Sequence, residues 1–196
     1  MAKLYFYYSA MNAGKTTKLL QNNFNYLERG MKTLLYTFAG DNRYGKAKIT
    51  SRIGLSYDAN VFDNNTKLFD EISSITNNSN EKISCILIDE AQFLKKEQIK
   101  DLCRIVDELN IPVLTYGLRT DFLGEPFEGS LYLLLWSDEL VEVKTICHCG
   151  KKATMNAKFN NDGEMIIQNN NEQIDIGGNE KYVSLCRKHY FMRKLN

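Results

Sequence analysis

The segment YYSAMNAGKTTKLL, Tyr7 to Leu20, joins an aromatic, β-favouring run (KLYFYY, Lys3 to Tyr8) to a stretch with helical period. Gly14, Lys15 and Thr16 fit the phosphate-loop pattern G-x-x-x-x-G-K-[ST], but Ser9 stands where the first glycine is usual. The pattern has physical meaning between a buried strand and a helix, where backbone N–H groups and a helix N-terminus converge on phosphate. That context is present here. Gly14 lets the backbone turn tightly, Lys15 reaches toward β- and γ-phosphates, and the Thr16 hydroxyl suits magnesium. Serine is small and its hydroxyl can hydrogen-bond the turn, so Ser9 is a tolerable substitute. The competing reading is a chance GKT opening an ordinary helix.

Working outward, Leu19, Leu20, Phe24 and Leu27 fall on one predicted helix face, with Gly30 as the stop. Lys32 to Phe38 (KTLLYTF) reads as a second buried strand, which completes a βαβ unit. Ala39 to Asp63 lacks a helical period and reads as a loop and a short hairpin. A helix over Lys67 to Ile75, a strand over Ser84 to Ile88, a helix over Lys95 to Leu109 and a strand over Ile111 to Tyr116 follow. The alternation predicts an α/β fold with a parallel sheet. Beyond it come a loop (TDFLGEPFEGS), an apolar segment or short helix (SLYLLLWSDE) and a strand (LVEVKTI) that runs into Cys147.

CILIDEAQF puts Asp89 and Glu90 at the carboxyl end of an apolar strand, where open α/β sheets hold their ligands. Asp89 suits a magnesium-holding role, and Glu90 suits a general base toward water or toward a hydroxyl. The bland alternative is that the two acids only cap the next helix.

Five cysteines, an odd number, include Cys147, Cys149 and Cys186 close to His148 and His189. Reduced thiols around a metal explain this better than a secreted disulfide frame. Cys147, Cys149, Cys186 and His189 make a tetrahedral, structural zinc shell, with His148 as a competing ligand. Cys85 and Cys103 read as core residues. The chain divides on this reading into a nucleotide-binding part, 1–146, and a zinc-binding part, 147–196.

The length of 196 residues suits burial of about 70% of the unfolded surface. Lys plus Arg number 25 against 24 Asp plus Glu, so no global field points to nucleic acid or membrane as the main partner. The basic stretch RKHYFMRK from Arg187 reads as a solvated tail. No apolar run approaches the roughly 18 residues of a membrane helix and no leader pattern is visible, so a cytoplasmic location is expected.

Taken in order, SAMNAGKT, DEAQF, YGLRTDFLGEPF and IGGNEKYVSLCRKHY resemble the motifs of the cytosolic, zinc-containing thymidine kinase family, over Leu4 to about Tyr190. The C-x-C and C-x2-H ligand pairs look like the bacterial branch. The resemblance implies a RecA-like phosphate-loop core with a zinc-bearing lasso, and transfer of the γ-phosphate of ATP, with magnesium, to the 5′-hydroxyl of thymidine or deoxyuridine. It implies ATP elements at Ser9, Ala10, Met11, Asn12, Ala13, Gly14, Lys15 and Thr16 and at Asp89, Glu90, Ala91 and Gln92. Phe122 would stack on the base, Met11 and Leu118 would line the pocket around its methyl group, and Tyr182 would pack beside it. Gln173, Ile174, Asp175, Ile176 and Gly177 would embrace the base through backbone groups, and Asp41 and Arg43 would lie on the phosphate side. A homotetramer and feedback inhibition by dTTP are further implications. On the phosphate loop and zinc cluster alone, a nucleic-acid-stimulated ATPase or a non-enzymatic zinc-ribbon module are the competing functions.

Overall fold

The computed structural model describes residues 1–40, 47–167 and 182–193. Along the chain come β1 (Leu4–Ser9), α1 (Lys15–Leu27), β2 (Lys32–Phe38), β3 (Lys48–Thr50), β4 (Ser56–Asp58), β5 (Asn60–Phe62), α2 (Leu68–Asn78) and β6 (Ile83–Ile88). A 3-10 turn at Ala91–Phe93 precedes α3 (Lys96–Leu109), β7 (Val113–Leu118), α4 (Glu128–Trp136) and β8 (Glu139–Glu142). Then come β9 (Thr145–Ile146), β10 (Lys152–Ala153), β11 (Met155–Lys158), β12 (Tyr182–Leu185) and α5 (Arg187–Met192).

Six strands form one sheet in the order β5-β2-β6-β7-β1-β8, and every neighbouring pair is parallel. Because side chains alternate across a strand, each strand feeds two cores. Leu4 and Phe6, Leu34 and Tyr36, Ile86 and Ile88 point to the layer of α2, α3 and α4, where they meet Leu68, Ile72, Ile99, Leu102, Ile105, Val106 and Leu133. Leu35, Cys85, Leu87, Leu114 and Tyr116 point to the other face, against Leu19 and Leu20 of α1. Central strands buried on both faces explain the continuous apolar runs of the sequence.

The α/β expectation holds, with local corrections. In α1, Leu19 and Leu20 are buried, but Phe24 and Leu27 are exposed. At 100° per residue the buried stripe continues instead to Asn23, whose side-chain oxygen accepts a hydrogen bond from Thr33 Oγ1 at 2.6 Å. The loop-and-hairpin region does contain the antiparallel pair β3 and β4, but its last residues form β5, which extends the sheet beside β2. The single strand expected over LVEVKTI is divided: β8 pairs with β1, whereas β9 turns away to pair with β10. The basic stretch from Arg187 is α5, with Tyr190 buried in a small core, and not a simple solvated tail.

Near the strand ends, α4 approaches the 3-10 turn with no room for a side chain. A Cβ on Gly129 would lie 2.5 Å from the Ala91 carbonyl oxygen, 2.7 Å from that of Leu94 and 2.9 Å from that of Gln92. Gly129→Ala gains about 0.5–1 kcal/mol of helix propensity, but overpacking against backbone costs about 1–3 kcal/mol. The expected net result is a destabilised protein; chemical denaturation that shows equal or greater stability would contradict this packing.

Candidate functional site

Parallel pairing brings the ends of β1, β6 and β7 to one edge of the sheet. Ser9 is the register partner of Leu118, and Asp89 follows the last residue of β6. The loop from Ser9 to Gly14 runs off β1, and α1 starts at Lys15.

The Ser9 substitution has a simple geometry. Left-handed backbone occurs in this loop at Asn12 (φ 61°) and Gly14 (φ 80°), whereas Ser9 is still paired strand. The first motif position therefore does not need glycine's freedom here. The Ser9 hydroxyl donates to the Ala10 carbonyl at 2.6 Å and accepts from Lys15 Nζ at 2.9 Å. Lys15 Nζ also donates to the Ala10 carbonyl at 3.2 Å, so the ammonium lies across the loop.

Thr16 Oγ1 donates to Asp89 Oδ2 at 3.0 Å, which unites the two residues expected to hold magnesium. Burial first, and the adjacent Glu90 carboxylate second, push the Asp89 carboxyl up to about 7, opposed by Thr16, the Glu90 N–H and Lys15. A divalent cation beside these oxygens would favour the carboxylate. Glu90 sits in left-handed conformation (φ 53°, ψ 36°), unusual for a residue with a long side chain. Such a conformation costs on the order of 1–3 kcal/mol and persists where its surroundings over-determine it. Gln92 is that surrounding: its Nε2 donates to Glu90 Oε2 at 2.5 Å, and its Oε1 accepts from the Leu118 N–H at 3.0 Å. Ser130 Oγ in α4 donates to the Leu118 carbonyl at 2.5 Å. Leu118 is thus held at both peptide groups.

After β7, buried Asp121 orders the loop by accepting the N–H groups of Leu123 and Glu125, each at 2.9 Å. Phe122 is buried with its ring 6.2 Å from that of Tyr182, edge to face. Lys158 Nζ lies 5.2 Å from the Phe122 ring centre and 5.7 Å from that of Tyr182. Met11 ties the phosphate loop to the β11/β12 hairpin: its N–H donates to Asn156 Oδ1 at 2.7 Å, and its carbonyl accepts from Ser184 Oγ at 2.6 Å. Asn156 Nδ2 also donates to the Thr120 carbonyl at 2.9 Å. The sequence does not single out Asn156, Ser184 and Lys158, because their contacts depend on which face of β11 and β12 meets the loops of the main sheet. Asp41, Arg43 and Gln173 to Gly177 lie outside the described residues.

The four expected metal ligands converge. Donor atoms of Cys147, Cys149, Cys186 and His189 all lie within 4.8 Å of one another. His189 Nδ1 is 3.4 Å from Cys147 Sγ and 3.5 Å from Cys186 Sγ, and Cys149 Sγ is 3.9 Å from Cys186 Sγ. Tetrahedral zinc with Zn–S of about 2.3 Å and Zn–N of about 2.0 Å requires edges of about 3.5 Å (S to N) and 3.8 Å (S to S), so the donor set fits zinc. His148 stacks on the His189 ring, with centres 4.4 Å apart, although its Nδ1 also comes within 3.6 Å of Cys147 Sγ. Burial opposes ionisation of Cys147, yet the backbone N–H groups of Cys149 and Cys186, His189 and the Cys149 thiol bring its thiol down to about 6. A thiolate is the form that binds metal. Cys147, Ala153, Met155, Ala157, Leu185, Cys186 and Tyr190 form a separate small core around the cluster.

Fold and site together define a phosphate-loop α/β protein with a Cys3His cluster suited to zinc. The family model for thymidine kinase matches residues 2–190. The chain is 57% identical over 190 residues to a thymidine kinase of Yersinia pseudotuberculosis, covering 97% of this chain and 95% of the relative. It is 58% identical over 190 residues to thymidine kinases of Salmonella paratyphi A (97% of this chain, 91% of the relative) and Vibrio vulnificus (97% of each). The chain belongs to the thymidine kinase family. No helix among the described residues is long and apolar enough to cross a membrane.

Because three thiols and one imidazole already meet the spacing, the purified protein is expected to carry close to one zinc per chain by elemental analysis. Cys186→Ser is expected to lose that zinc and the order of the small core; a fully loaded, equally stable variant would contradict the ligand set.

Proposed function

We propose that the chain transfers the γ-phosphoryl group of ATP to the 5′-hydroxyl of thymidine, and of deoxyuridine. The observation that carries this reading is the double role of Met11. Its loop presents Gly14, Lys15 and Thr16 to phosphate, while its own peptide groups are gripped by the strands that bear Tyr182 and Lys158 beside Phe122. A site for phosphate and a site for an aromatic base thereby share one residue.

In this reading the loop N–H groups and the Lys15 ammonium cradle the β- and γ-phosphates, and Thr16 and Asp89 hold magnesium. Magnesium, when bound, neutralises charge that builds on the transferring group. Glu90 accepts the proton of the 5′-hydroxyl as it attacks, and Gln92 orients its carboxylate. Geometry favours this assignment: Glu90 is fixed by a strained backbone and a short hydrogen bond, next to the magnesium-holding pair. Phe122 stacks on the base, and Met11, Leu118 and Tyr182 close round it.

The likeness to the family supports the remaining parts of the proposal. Gln173 to Gly177 recognise the base through backbone groups, and Asp41 and Arg43 serve the phosphate side. Residues 1–146 form the nucleotide-binding part and 147–196 the zinc-bearing part that encloses the nucleoside, with zinc structural because four protein ligands leave no open position. A homotetramer, feedback inhibition by dTTP and a reducing, cytoplasmic setting for the thiol cluster complete it.

The test is a panel of nucleosides with ATP and magnesium. Thymidine and deoxyuridine are expected to yield their 5′-monophosphates, and purine nucleosides are not; no product from thymidine would overturn the proposal. Glu90→Gln is expected to keep ATP binding and to lower turnover by about 10²- to 10⁴-fold. Near-normal turnover in that variant would remove Glu90 from the role of base.

A further inference from the structure

The β11/β12 hairpin has two faces with separate duties. Met155, Ala157 and Leu185, joined by Val183, point into the small core around the Cys3His cluster. Strand alternation sends Asn156, Lys158, Tyr182 and Ser184 to the opposite face. Asn156 is the register partner of Ser184, and Lys158 of Tyr182. On that face one cross-strand pair holds the phosphate loop, and the next pair holds the aromatic ring of Phe122.

The grip on the phosphate loop is bidentate. Asn156 and Ser184 take the N–H and the carbonyl of the same residue, Met11, one position before Asn12 with its left-handed backbone. Two further contacts come from the same side of the molecule. Thr145 Oγ1 donates to the Asn12 carbonyl at 3.4 Å, and Tyr190 Oη donates to the Phe122 carbonyl at 2.9 Å. Tyr190 is next to His189 of the metal cluster. A shift of the hairpin relative to the sheet therefore moves Phe122 and the loop at Met11 together.

We propose that Asn156 and Ser184 are positioning residues that couple the two substrates: occupation of the pocket at Phe122 and Tyr182 sets the hairpin, and the hairpin sets the phosphate loop for ATP. This rests on the nucleoside-kinase reading. Asn156 and Ser184 are buried on paired strands and their hydrogen bonds to Met11 are part-buried, so a displacement that breaks either bond leaves a polar group with reduced access to water and is opposed. Linkage then demands reciprocity, so ATP must tighten nucleoside binding by the same factor.

The experiment is calorimetric titration of the zinc-loaded full chain with thymidine and with a non-hydrolysable ATP analogue plus magnesium, each alone and each in the presence of the other. In the wild type each ligand is expected to tighten the other by the same factor, about fivefold or more. Ser184→Ala and Asn156→Ala are expected to retain zinc and to bring that factor close to one, and Ser184→Thr, which keeps the hydroxyl, to restore it. A wild-type factor of one overturns the proposal, as does an unchanged factor in zinc-loaded Ser184→Ala. If neither alanine variant folds with its zinc, the pair is structural and the coupling role is likewise overturned. Wild-type protein that binds the ATP analogue but no thymidine at any concentration overturns instead the nucleoside reading on which the coupling rests.

Discussion

Parallel pairing of β1 with β7 is the constraint from which the rest of the site follows. It places Ser9 opposite Leu118, so the phosphate loop and the loop that carries Phe122 leave the sheet side by side. The β6/β7 pairing puts Asp89 at the same edge. In an all-parallel sheet every strand ends on that edge, and the unpaired peptide groups there need partners from loops and side chains. Gln92 and Ser130 meet this need at Leu118, and in doing so Gln92 also holds Glu90. Satisfying the sheet edge and building the acidic site are one arrangement.

A second layer is set by the metal cluster. The small core has Met155, Phe159, Leu185 and Tyr190 as its large buried side chains, and a core of this size would be marginal by itself. Structural zinc sites contribute about 10–16 kcal/mol of binding free energy, enough to order such a module. Its β11/β12 hairpin turns Asn156 and Ser184 away from the small core, and these two make the hydrogen bonds to Met11 and Thr120. The Cys3His cluster thus packs behind the hairpin whose opposite face holds Met11 of the phosphate loop.

Much of this was legible in the residues. The buried strands read as continuous apolar runs because they are covered on both faces, and the phosphate loop and DEAQF fell where strand ends were expected. Thr16 and Asp89, far apart in the chain, do meet. Even the puzzle of Ser9 has a local answer, since the left-handed turns fall on Asn12 and Gly14. Other features depend on partners that the sequence does not display. Phe24 and Leu27 look like core residues by type, yet the stripe facing the sheet runs through Asn23, which Thr33 satisfies. The break between β8 and β9 reflects a change of pairing partner, not a change of composition. The left-handed backbone of Glu90 and the grip of Asn156 and Ser184 on Met11 arise only once distant segments are packed.

On the proposed reading, the site directs phosphate to a nucleoside hydroxyl in preference to water. The most direct measurement follows the label of γ-32P-ATP into nucleotide monophosphate and into free phosphate, with and without thymidine. Thymidine is expected to draw nearly all released label into thymidine monophosphate, with little phosphate freed in its absence. Phosphate release at the same rate with or without thymidine, and no labelled nucleotide, would contradict it.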